Sequence, residues 1–108
     1  MDPNQIQLKK GVLELCVLAV LSRGEGYAYD IAARLADAID MGEGTIYPLM
    51  RRMQNEGLVE TYLAESSSGP PRKYYRLTEM GCNTFAAMKT AYHRFTHAVD
   101  VILEESAP

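Results

Sequence analysis

The sequence predicts a mainly α protein with a small antiparallel β-hairpin as a wing. It reads as a winged helix-turn-helix domain over residues 1–78 followed by a long C-terminal dimerisation helix over residues 79–108. Three observations predict this. Two short amphipathic stretches are joined by the turn Asp40-Met41-Gly42, the helix-turn-helix pattern. Two runs rich in β-formers then flank Ser66-Ser67-Ser68-Gly69-Pro70-Pro71, a composition neither helix nor strand tolerates well. Finally, Phe85, Met88, Tyr92, Phe95, Val99 and Ile102 step by three and four, a heptad seam of the kind that packs along another helix.

The first helix spans Gln7 to Arg23. Val12, Leu13, Leu15 to Leu21 leave it apolar on most of its circumference, so it is buried on more than one side. In a chain of 108 residues little remains to cover both sides. The second side is therefore expected to meet another subunit, the alternative being a central core helix of a monomer. Arg23-Gly24-Glu25-Gly26 breaks the helix. A second helix follows from about Tyr27 to Ile39, with Ile31, Leu35 and Ile39 on one face.

The third helix lies within Glu43 to Leu58. Ile46, Leu49, Met50 and Met53 form its apolar stripe. Gly44, Pro48, Arg51 and Asn55 occupy the opposite side, with Thr45, Tyr47 and Arg52 on the flanks. Gly57 stops it by taking the left-handed conformation that a Cβ disfavours. Pro48 is tolerable if the helix caps near Gly44 or Thr45, which places it in the first turn. Between Thr45 and Asn55 there are bases but no acid, a front suited to an anionic partner.

Val59 to Glu65 and Arg72 to Leu77 are the hairpin strands, with a polar tip of about six residues. Lys73, Tyr75 and Leu77 share one strand face, Arg72, Tyr74 and Arg76 the other. Tyr75 is read as core and Tyr74 as the more exposed ring. Thr78 caps the last helix, and Glu79 suits its first-turn dipole.

The net charge of −3 argues against a nucleic-acid binder if taken alone. The distribution argues otherwise. Between Met41 and Thr78, Arg51, Arg52, Arg72, Lys73 and Arg76 outnumber Glu43, Glu56, Glu60 and Glu65, so the acid excess lies elsewhere. The apolar run Val12 to Leu21 is half the roughly twenty residues a membrane helix needs. Lys9 and Lys10 precede it, but no cleavage site follows. Cys16 and Cys82 lack metal or redox spacing and read as small buried hydrophobes. A soluble cytoplasmic protein is the expectation, with no membrane partner and no cofactor.

With these elements laid out, the chain resembles the PadR family of bacterial transcriptional regulators. The likeness rests on Leu8-Lys9-Lys10-Gly11-Val12-Leu13-Glu14-Leu15, Gly26-Tyr27-Ala28-Tyr29-Asp30-Ile31 and Glu43-Gly44-Thr45-Ile46-Tyr47-Pro48-Leu49. Glu56-Gly57-Leu58-Val59 and Gly69-Pro70-Pro71-Arg72-Lys73-Tyr74-Tyr75-Arg76-Leu77-Thr78 complete it. It is similar in kind to the compact branch, which carries a single C-terminal helix. The resemblance implies a homodimeric repressor reading a pseudo-palindromic operator in double-stranded DNA. It assigns Thr45, Tyr47, Pro48 and Arg51 to DNA and Arg72 and Lys73 to wing-side phosphates. In some relatives a flat aromatic effector binds between the subunits, held in certain members of the compact branch between tryptophans on the last helix. This chain has no Trp, so Tyr92 and Phe95 are the substitutes, with Leu15 of the first helix expected to line the same pocket.

Arg52, Asn55 and Tyr74 join the expected DNA-contacting set by position, although Arg52 reads equally well as solvated surface. Val12, Leu15, Phe85, Met88, Tyr92, Phe95, Val99 and Ile102 are the expected dimer interface. His93, His97 and Asp100 share a helical face at a spacing that can hold a metal, but they lie beside the seam where a solvated face is expected. No metal site is assigned, and no nucleophile–base pair marks an enzyme. The overall acidity leaves open a winged helix used only for protein contacts.

Overall fold

A computed structural model describes residues 12–105. Its described elements run α1 (Leu13–Ser22), β1 (Gly26–Tyr27), α2 (Ala28–Ile39), α3 (Glu43–Asn55), β2 (Val59–Ser66), β3 (Gly69–Leu77) and α4 (Glu79–Glu105). The start predicted for the first helix at Gln7 lies outside the described residues, as does the motif before Val12.

The core sits where α1, α2 and α3 close over the sheet. Leu18, Ile46, Met50, Met53 and Val17 are its fully buried centre, and Ile31, Leu35, Val59 and Tyr75 surround them. Burying a side chain of this size stabilises by roughly 1.5–3 kcal/mol, so the predicted stripe of α3 contributes alongside Leu13, Val17, Leu18 and Leu21 of α1. Met41 is also buried, so the turn between α2 and α3 is pinned by an apolar side chain. Asp40 ends α2 in the left-handed region at φ 53°, a conformation short polar side chains tolerate.

Gly57, at φ 80°, closes α3 as predicted. Its N–H bonds the Gln54 carbonyl at 3.1 Å and that of Leu58 bonds the Met53 carbonyl at 3.0 Å, the Schellman pairing. The start of α3 differs from expectation. Gly42 is the N-cap, so Pro48 lies in the second turn, not the first. A proline there removes the N–H that would bond the Gly44 carbonyl. Both residues face solvent, where water can satisfy that carbonyl.

The wing also differs. The two strands run to Ser66 and from Gly69, leaving Ser67-Ser68 as the turn where a six-residue loop was predicted. Ala64 pairs Arg72 and Ser66 pairs Gly69, so Pro70 and Pro71 together oppose Glu65. This is a β-bulge, which accommodates residues that cannot donate to the ladder. Tyr27, read as the start of the second helix, instead joins Gly26 in a short third strand. It pairs with β3 in the order β1-β3-β2, Tyr27 opposite Tyr74.

Thr78 joins the wing to α4. Its Oγ accepts a hydrogen bond from Gly81 N at 3.0 Å and donates to the Gly57 carbonyl at 2.6 Å. A Cβ on Gly81 would collide with the Leu58 carbonyl oxygen, so glycine alone allows α4 this close to the end of α3. Phe85 and Met88 pack on the core. Phe95 and Ile102 further along are about two-thirds exposed. Helix α1 presents its second side, expected to meet a partner subunit, in part to α4 of its own chain, because residues of both line one cleft. Cys82 is exposed, contrary to the reading of it as buried. Its place in the first turn of α4 is away from the face that Gly81 presses on Leu58. Among the described residues no helix is long and apolar enough to cross a membrane.

Candidate nucleic-acid interface

The buried back of α3 fixes what its front presents. With Ile46, Met50 and Met53 sealed in the core, Thr45, Pro48, Arg51, Arg52 and Asn55 are all exposed and Tyr47 is half-buried. Gln54 anchors the helix to the sheet by donating to the Thr61 hydroxyl at 3.2 Å. Burial raises the Tyr47 pKa, assisted by Glu43 and by Tyr27, Tyr29 and Tyr75. A tyrosine phenol is protonated at neutral pH in any case, and the shift keeps it a donor suited to a phosphate oxygen.

The two adjacent arginines separate. Arg52 bridges Glu56 at 3.4 Å and Glu14 at 3.9 Å. Such exposed pairs are worth only about 0–1 kcal/mol, but they turn its charge toward the protein. Arg51 has no ion-pair partner among the described residues and stands at the centre of the front.

On the wing, Arg72 is exposed and Lys73 is half-buried. The Arg72 guanidinium carbon lies 5.0 Å from the Tyr27 ring centre and Lys73 Nζ lies 5.3 Å from that of Tyr75. Tyr74 is half-buried, less open than its sequence position implied. It stacks on Tyr62 at 5.5 Å and meets Tyr27 at 5.8 Å. Arg76 is neutralised by Glu60 at 2.8 Å and Glu25 at 4.0 Å. Sequence reasoning missed Tyr27 and Tyr62, although the register of the hairpin places Tyr62 opposite Tyr74. Tyr27 needs β1, a strand too short to leave a periodicity.

A second feature lies behind the winged domain. Val12, Leu15, Cys16 and Ala19 of the first helix and Phe85, Lys89, Tyr92 and His93 of α4 enclose a cleft of about 380 Å³, with Ser22 and Arg23 at one end. Leu15 and Tyr92, chosen from sequence, thus meet at one cleft. Phe95 does not line it and is 69% exposed. His93 is exposed, in keeping with a solvated outer face, and at the edge of the cleft it packs edge-on against Tyr92 at 5.6 Å. Burial raises the Cys16 thiol pKa, which keeps it protonated and unreactive. Val99 is half-buried and Ile102 exposed.

A three-helix core, a helix-turn-helix and a bulged wing define a winged-helix DNA-binding-type fold, and comparison with known proteins narrows it. Residues 17–87 match the Transcriptional regulator PadR-like family, and the chain belongs to that family. Its members are transcriptional regulators, not enzymes. The chain is similar to a PadR-like transcriptional regulator from Bacillus cereus, with 38% identity, TM-score 0.83, and coverage of 93% of this chain and 99% of that one. A PadR family transcriptional regulator from Eggerthella lenta is 34% identical with TM-score 0.82, covering 94% and 89%. Bacillus subtilis PadR, solved in complex with operator DNA, shares the fold at 23% identity and TM-score 0.64, covering 71% of this chain and 46% of that one.

Proposed function

We propose that this PadR-family regulator is a homodimeric repressor that binds a pseudo-palindromic operator, with α3 in the major groove and the wing along the backbone. The observation that carries it is the division of α3: a back whose Ile46, Met50 and Met53 are sealed in the core, and an exposed front whose central arginine, Arg51, has no ion-pair partner among the described residues. Thr45, Tyr47, Pro48, Arg51 and Asn55 form the groove-facing set, and Arg72 and Lys73 serve wing-side phosphates. Arg52 ranks below them because Glu14 and Glu56 compete for it. Tyr74 supports the wing from within the stack. The fold is shared with a protein solved on operator DNA, which supports the docking mode.

Two copies are needed because one short helix reads few base pairs. Half-sites one DNA turn apart, about 34 Å, suit a two-fold dimer. The exposed Phe95 and Ile102 of α4, with Val99, offer the dimer seam, and residues 79–108 act as the dimerisation segment. The cleft at Leu15 and Tyr92 is the effector site, its apolar floor suiting a small aromatic compound that releases DNA.

Footprinting and anisotropy titration on DNA immediately upstream of its own gene test this. A protected two-fold site is expected, with log K falling on log salt at about −0.9 per neutralised phosphate. Arg51→Ala should weaken binding without changing the oligomer. A flat salt response, or no binding, would instead favour a protein-contact role, consistent with the net charge of −3.

A further inference from the structure

An aromatic row runs across the outer face of the sheet and on to Tyr29 in the first turn of α2. Tyr62 stacks on Tyr74 at 5.5 Å, Tyr74 meets Tyr27 at 5.8 Å, and Tyr27 meets Tyr29 at 6.1 Å. An arginine sits over each of two rings, Arg76 at 5.1 Å from Tyr62 and Arg72 at 5.0 Å from Tyr27. The two arginines are otherwise opposites. Strand register places Glu60 across from Arg76 and Ala64 across from Arg72. Arg76 therefore spends its charge on Glu60 and Glu25, while Arg72 has no ion-pair partner among the described residues.

A ring face holds a guanidinium through its plane. It consumes none of the edge N–H donors and leaves the positive charge whole. An arginine seated this way loses less side-chain freedom on meeting a phosphate than one that sweeps through solvent. The backbone is fixed too, since Arg72 resumes ladder pairing directly after the Pro70-Pro71 bulge. The strand β1 exists as two residues, and its pairing with β3 is what brings Tyr27 beneath Arg72.

We propose that Tyr27 is a positioning residue for the wing: its ring seats Arg72 with charge and donors unspent, so that Tyr27 sets how strongly the wing grips a DNA phosphate. This rests on the DNA-binding reading given above.

The test is a double-mutant cycle on the duplex from upstream of the protein's own gene. Tyr27→Leu should weaken binding about three- to tenfold and make the salt slope shallower by up to about one unit, while Tyr27→Phe retains both. In an Arg72→Ala background, Tyr27→Leu should change affinity less than twofold. A full effect in that background, or none in either, overturns the role. A second measurement needs no substitution and no DNA: the Arg72 side-chain protons of the wild type should show upfield ring-current shifts by NMR. Arg72 protons at unstructured-chain positions would also overturn it. Failure of the wild type to bind any duplex sinks the DNA reading and this role together. Binding without coupling removes the Tyr27 role alone.

Discussion

The two ends of α4 carry the same apolar spacing and meet different fates. At the start, Gly81, Phe85 and Met88 press on the winged domain, and Gly81 is buried against Leu58. At the far end Phe95 and Ile102 continue the period into solvent, joined by Leu103 at 61% exposure. Periodicity therefore identifies a face that is to be covered but not the chain that covers it. The near end is closed by one chain's own core; the far end is open in a single copy, which motivates the dimer proposed above.

Substitutions can separate these two situations. Met53→Ala, in the sealed core, should cost about 2–5 kcal/mol by transfer and cavity terms, read by urea unfolding. Gly81→Ala, at the near end of α4, should cost about 1–3 kcal/mol because the methyl must push the Leu58 backbone aside; an unchanged midpoint would show that α4 is not held this closely. Thr78→Ala should cost about 1 kcal/mol through the lost cap. Phe95→Ser combined with Ile102→Ser should shift the stability of the dilute chain by less than about 0.5 kcal/mol. The wild-type melting temperature should rise with protein concentration and that of the double variant should not. Equal concentration dependence in both would move the dimer interface elsewhere.

Where local chemistry decides structure, the sequence was legible. Gly57 had to be the end of α3 and Thr78 the start of α4, and the stripe Ile46, Met50, Met53 had to be core. Misreadings arose where tertiary pairing overrides local preference. Ser66 to Pro71 has loop composition, yet a bulge lets both prolines sit in a strand. Tyr27 begins a helical pattern, yet its backbone also completes the sheet. Pro48 suggested a later start to α3 because its cost is local, whereas the compensation comes from solvent access at Gly44. Of the candidate interface, the front of α3 was readable from helical geometry alone. The ranking of Arg51 over Arg52 was readable too, from the flank position of Arg52, but its contact with Glu14, a residue of α1 brought near by folding, was not.

The hydroxyl of Thr78 has a mechanical consequence. By gripping the Gly57 carbonyl and the Gly81 amide at once, it ties the start of α4 to the end of α3. At about 1.5 Å per residue, the 27 residues of α4 form a lever about 40 Å long. A ~5° turn of that lever that carried the winged domain along would shift a point ~20 Å from its axis by ~2 Å. In such a movement the tilt of α4 would set where α3 points.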